Sequence, residues 1–143
     1  MYHYTESGLK NDWLTNGFKI KKIDGEQAVA ISDADVLHQV IGRALAAKPY
    51  LTGLELRYLR KEIGLSQKRL ADLLGSTEQT VSLWERRGRM PKGYDRLVRL
   101  LYLEQIDGNV KIQEIIHRLI ELDSRENEKL IFSDTRSGWR QAA

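Results

Sequence analysis

The sequence predicts a mainly α fold: a domain of five short helices, preceded by a small antiparallel β-hairpin and one further helix. Three observations carry this. From residue 52 to 105, apolar residues recur at helical spacing in four successive runs, set apart by Gly, Pro or a capping residue. Before them, Phe18-Lys19-Ile20-Lys21-Lys22-Ile23 has the apolar–charged alternation of a half-buried strand and ends at Asp24-Gly25, a hairpin signal. After them, residues 110–122 carry a wide apolar stripe of Ile112, Ile115, Ile116, Leu119 and Ile120.

In chain order, Tyr2 and Tyr4 suit a short strand, Ser7-Gly8 a turn, and Trp13-Leu14 followed by Asn16-Gly17 a second turn. Gln27 to Ile31 is the returning strand of the hairpin. A small sheet of two or three strands follows, and because a lone hairpin is marginal in water it must pack on something. Ser32 or Asp33 can cap a helix reaching about Ala47, with Val36, Leu37, Val40, Ile41 and Leu45 as its apolar stripe and Pro49 beyond its end. That helix is expected to cover one face of the hairpin, giving an N-terminal unit over residues 1–50.

Thr52-Gly53-Leu54-Glu55 has capping-box spacing. The helix it opens turns Leu56, Leu59 and Ile63 inward and Arg57, Arg60 and Lys61 outward. Ser66 can cap the next, whose Leu70, Ala71 and Leu74 share a face, and Gly75 ends it because glycine accepts positive φ. Ser76 and Gln79 have the spacing of a second capping box, starting a helix over 76–86. Its inward residues are Val81 and Trp84, and its outward ones Glu78, Gln79, Ser82, Leu83 and Arg86. A basic loop, Arg86-Arg87-Gly88-Arg89-Met90-Pro91-Lys92-Gly93, leads to a helix from Tyr94 to Gln105 with Tyr94, Leu97, Val98 and Leu101 inward. Residues 51–106 form the central domain. Residues 107–123 hold the amphipathic helix, which closes the core or meets its own copy. Residues 124–143 form a polar tail, expected to be partly disordered, with an apolar patch at Leu130-Ile131-Phe132 and a late Trp139.

The composition, 41% hydrophobic and 30% charged, is that of a globular chain, and no apolar run approaches the ~20 residues of a membrane helix. Met1-Tyr2-His3-Tyr4 lacks the basic-then-apolar order of a signal peptide. The absence of cysteine excludes disulfides and thiolate metal sites and fits a cytoplasmic location. The net charge of +3 is unevenly placed: residues 51–100 carry 11 Lys/Arg against 6 Asp/Glu, whereas residues 1–50 carry 6 of each. The positive excess therefore falls on the central domain, as a polyanion partner would favour.

The stretch Leu59-Arg60, Gly64-Leu65-Ser66-Gln67, Leu70-Ala71, Leu74-Gly75 and Thr80-Val81-Ser82, followed by Trp84-Glu85, resembles the helix–turn–helix of the Xre/Cro-repressor family. The resemblance covers roughly residues 52 to 105. The run from Leu51-Thr52-Gly53 through Arg60 also resembles the DNA-binding half of antitoxin regulators of the MqsA or HigA kind, although the cysteine-based zinc module of the former is missing.

The resemblance implies double-stranded DNA as partner, with the outward face of the 76–86 helix in the major groove. Thr77, Glu78, Gln79, Ser82 and Leu83 are then the base-reading candidates. Glutamine can bond adenine N6 and N7 together, glutamate can accept from cytosine N4, and leucine can meet a thymine methyl. Gln67, Lys68, Thr80, Arg86, Arg87, Arg89 and Lys92 are the phosphate-binding candidates, with Arg69 and Tyr94 weaker ones. Trp84 is core, and in such folds Glu85 pairs with a basic residue of the first helix, Arg60. The expected function is a transcriptional regulator, a repressor acting as a homodimer on a palindromic operator. The alternative is an antitoxin that also binds a toxin protein.

No cofactor or metal is expected. His3, His38 and His117 are scattered without ligand spacing, and there is no P-loop, G-x-G-x-x-G or G-x-S-x-G. Asp33 and Asp35 fit a helix start better than an acid–base pair, so no enzyme is expected.

Overall fold

The computed structural model describes residues 1–108, 114, 117, 121 and 130–141. Strands β1 (Tyr2–His3) and β2 (Trp13–Leu14) pair antiparallel, as do β3 (Phe18–Ile23) and β4 (Glu26–Ile31). The β3–β4 turn needs left-handed backbone at two successive residues, and Asp24 (φ 51°) and Gly25 (φ 82°) supply it. Five helices follow among the described residues: α1 (Ala34–Ala46), α2 (Gly53–Ile63), α3 (Gln67–Leu74), α4 (Glu78–Arg87) and α5 (Lys92–Ile106). A last pair, β5 (Phe132–Thr135) and β6 (Gly138–Gln141), forms a hairpin in the polar tail, where the sequence suggested disorder. The apolar stripe from Ile112 to Ile120 lies outside the described residues. Within that stretch Glu114, His117 and Glu121 are helical.

The capping reading of α2 and α3 holds. Thr52 Oγ1 accepts from Glu55 N, the Glu55 carboxylate accepts from Thr52 N, and Ser66 accepts from Arg69 N. Gly64 (φ 82°) and Gly75 (φ 69°) end the two helices in left-handed backbone. The core lies between α2, α3, α4 and α5, where Leu56, Leu59, Leu70, Val81, Val98 and Leu101 are all buried.

In the N-terminal fifty residues the β3–β4 hairpin is as expected, but the rest departs from expectation. The strands form separate two-stranded pairs rather than one sheet. Helix α1 packs on α5 and α2 instead of covering the hairpin. Its buried residues are Gly42, Leu45 and Ala46, while Val36 and Val40 are 57% and 59% exposed. The reason is close approach. A Cβ on Gly42 would lie 1.8 Å from Tyr102 Oη, so the α1–α5 contact is made by a missing side chain that a search for large apolar residues does not register. Of the two proposed caps Asp33 occupies the N-cap position, but in left-handed backbone (φ 45°) and without a side-chain cap hydrogen bond.

Two polar links fasten this segment. The buried Tyr4 hydroxyl lies 2.6 Å from His38 Nε2, and His38 Nδ1 lies 3.0 Å from Glu62 of α2. At the other end of α1, Asp95 accepts from Leu51 N and pairs with Arg99, which donates to Lys48 O at 2.6 Å.

Burial also sets an alkaline limit. The Tyr58 hydroxyl donates to His38 O, and burial, reinforced by Glu62, raises its pKa far above the usual value of 10.0. Burial, again with Glu62, pushes Tyr102 up to about 12. A phenol held neutral in the fold but free to ionise in the unfolded chain contributes its full stability below pH 10 and loses it as pH rises toward the folded pKa. Urea denaturation should therefore give constant stability from pH 7 to 9. Above pH 10 it should show a fall of about 1.4 kcal/mol per pH unit for each tyrosine, shallower in Tyr58→Phe.

Candidate nucleic-acid interface

The turn between α3 and α4 is built from local chemistry. With Gly75 in left-handed backbone, Ser76 N turns back to Ala71 O at 2.8 Å. Ser76 is thereby held outside α4, and the cap is Thr77, whose hydroxyl accepts from Thr80 N. The Ser76–Gln79 capping box is not formed, and α4 starts at Glu78 rather than residue 76. The Thr77 hydroxyl is thus engaged by the helix and lies 2.8 Å from that of Thr80. Thr77→Ala should cost about 1 kcal/mol in thermal unfolding through the lost cap.

Helix α4 is held from behind by Val81, Trp84 and Glu85, all buried. Arg60 of α2 donates to both Glu85 oxygens at 2.9 Å, and its third nitrogen donates to Leu65 O at 2.9 Å. Arg60 is therefore buried, although its helix position suggested an outward residue. The Trp84 ring packs on that of Tyr94 from α5, centroids 5.2 Å apart. The start of α2 meets the end of α4 so closely that a Cβ on Gly53 would lie 2.3 Å from Glu85 O.

This support leaves the opposite face of α4 free. Gln67, Glu78, Gln79, Ser82 and Arg86 line one open concavity of about 280 Å³. Gln67, the first residue of α3, thus stands beside the exposed face of α4, and donors and acceptors of both signs share one surface. Leu83 is 37% exposed and lies outside that concavity, as does Thr77. Among the described residues the Arg86 guanidinium reaches back only to its own helix, 3.4 Å from Ser82 O. Lys68 and Arg87 are exposed.

The remaining basic residues are not brought to the concavity. Arg89 adopts left-handed backbone (φ 54°), with its guanidinium 5.7 Å from the Tyr50 ring centre. Lys92 opens α5 beside Tyr50 and Met90. Sequence reasoning missed Lys10. The N-terminal loop carries it to the cavity that Arg86, Arg87 and Arg89 also line, through docking that no local pattern announces. Among the described residues, no group of three or more His, Cys, Asp or Glu side chains could hold a metal ion, and no helix is long and apolar enough to cross a membrane.

No curated protein and no solved structure matches the chain significantly. A family model does: residues 56–95 match the helix-turn-helix family HTH_3. The match runs from Leu56 in α2 to Asp95 in α5 and so takes in the Arg60–Glu85 pair, the Gly75 turn and the whole of α4: this part of the chain is similar to helix-turn-helix domains, which supports a DNA-binding transcription regulator.

Proposed function

We propose that the protein is a sequence-specific regulator that represses by occupying its operator, acting as a homodimer with one α4 in each of two successive major grooves of a palindromic site. The observation that carries this reading is the convergence of Gln67, Glu78, Gln79, Ser82 and Arg86 on one exposed surface of the matched helix-turn-helix. Gln79 stands in the first turn of α4, where recognition helices meet base edges. Arg86 stands in its last turn, where a cation can meet a phosphate.

The test is fluorescence anisotropy of a labelled duplex from upstream of the gene against a scrambled duplex, at physiological salt. A preference of ~1,000-fold or more marks specific binding. Gln79→Ala should narrow that preference by about 1–3 kcal/mol. Arg86→Ala should weaken both duplexes alike and reduce the salt slope by about 1. Equal, weak binding of both duplexes by the unaltered protein would contradict the reading.

A second reading, an antitoxin whose N-terminal region also holds a toxin protein, draws support from the apolar side chains left exposed there: Ile20 and Ile23 on the hairpin, Val36 and Val40 on α1. It expects co-purification with the product of an adjacent gene, lost when Ile20 and Val40 are both changed to Asp. Persistence of the complex in that variant would count against it.

A further inference from the structure

Between the N-terminal loop, the end of α1, the start of α2 and the end of α4 lies an open cavity of about 520 Å³. That volume falls within the ~300–1,000 Å³ usual for small-molecule sites. Its apolar wall is Leu9, Leu45, Leu51 and Leu54. The first three are buried in the core and the fourth packs against it, so this wall is preformed. Charge along the cavity does not balance. Glu85 is paired with Arg60 and Glu55 with Lys48, whereas Asp12, which accepts from the Ser7 hydroxyl at 2.8 Å, keeps its charge and is outnumbered by the remaining cations of the lining. Lys10, Arg86 and Arg87 line the same space, and none of them pairs with a carboxylate among the described residues.

We propose that this cavity binds a small organic anion, an apolar body carrying a carboxylate or phosphate. The body lies on the leucines, and the anionic group meets Lys10, Arg86 and Arg87. The Tyr50 ring, which also lines the cavity, offers a flat apolar contact for the body. Two of the three cations belong to the last turn of α4. An occupant and the DNA backbone therefore compete for them, a coupling that rests on the DNA-binding reading, whereas the cavity does not.

Anilinonaphthalene sulfonate, an anion on an apolar ring system, is the probe. Titrated into the full chain and followed by fluorescence and calorimetry, it should fill one saturable site. Lys10→Glu with Arg87→Glu should weaken that binding by about tenfold or more, through loss of charge-assisted contacts. Lys19→Glu with Lys21→Glu makes the same change in net charge on the β3–β4 hairpin and should shift it by less than about twofold, since exposed charges at a distance are screened. Equal weakening by both pairs would mean long-range attraction rather than a site. Unchanged binding in the cavity variant would put the probe on exposed apolar residues elsewhere. Either result overturns the proposal. Thermal unfolding checks that both variants fold, and Lys10→Ala, in a loop outside the helices, should by itself weaken the probe measurably. A labelled duplex added to the probe complex reads the coupling separately. Displacement supports shared cations, and simultaneous binding of both overturns the coupling. Probe binding with no DNA binding at all removes the DNA reading and leaves the cavity standing.

Discussion

Glu85→Ala should lower the stability of the fold by about 3–5 kcal/mol, because it strands a buried guanidinium whose partner was a bidentate carboxylate. Urea denaturation at pH 7 measures this directly. The loss comes from the uncompensated charge of Arg60 more than from the strength of the pair itself. Arg60→Met together with Glu85→Leu should therefore recover much of it, though Leu65 O then loses its donor. A single variant destabilised by less than about 1 kcal/mol would show that water reaches Arg60, contrary to its burial. The pair joins α2 to α4 directly behind the exposed face, so the single variant should also lose duplex binding, and the apolar double variant should regain it in part.

Gly53→Ala should do its greatest harm to function. The added Cβ would meet Glu85 O at 2.3 Å and both Glu85 C and Trp84 O at 2.8 Å. All three are backbone atoms of α4, so no side chain can swing aside, and the two helices must part. Overpacking of this kind costs about 1–3 kcal/mol, occasionally more. The shift carries Gln79 and Arg86 away from their alignment with Gln67, which sits on α3. Duplex affinity should fall by more than tenfold in a chain that still unfolds cooperatively, with anisotropy and urea denaturation measured on the same preparation. Gly93→Ala, in the first turn of α5 with open space around its Cβ, is the control. It should raise stability by about 0.5–1 kcal/mol and leave binding unchanged. Equal behaviour of the two variants would refute the close-contact account.

The parts of this fold legible in the sequence are those that local chemistry decides. Thr52 and Glu55, Ser66 and Gly75 act through backbone groups within a few residues, so their spacing suffices. The cap of α4 differs from the expected one by one residue for an equally local reason: Ser76 and Thr77 are both good caps, and the return of Ser76 N to Ala71 O decides between them. The face of α1 is as expected at Ile41 and Leu45 but not at Val36 and Val40, because its contact with α5 is made at Gly42, which apolar patterning does not register. The β5–β6 hairpin was missed because its strands are short, polar and wholly exposed. Within the site, Gln67, Glu78, Gln79, Ser82 and Arg86 follow from helical periodicity once the turn is found. Where Arg89 and Lys10 end up depends on the docking of Tyr50 and of the N-terminal loop, which involves residues distant in sequence.

Among the described residues the β3–β4 hairpin pairs only with itself, so both of its outer strand edges present backbone donors and acceptors to other molecules of the same protein. In a crowded cell such a ribbon is a template for stacking into fibres. Lys19, Lys21 and Lys22 give β3 a run of like charge that makes lateral zippering of copies unfavourable. The lysines thus protect solubility as well as shaping the strand, and threonines at all three positions should leave the monomer folded yet hasten its loss from concentrated solution.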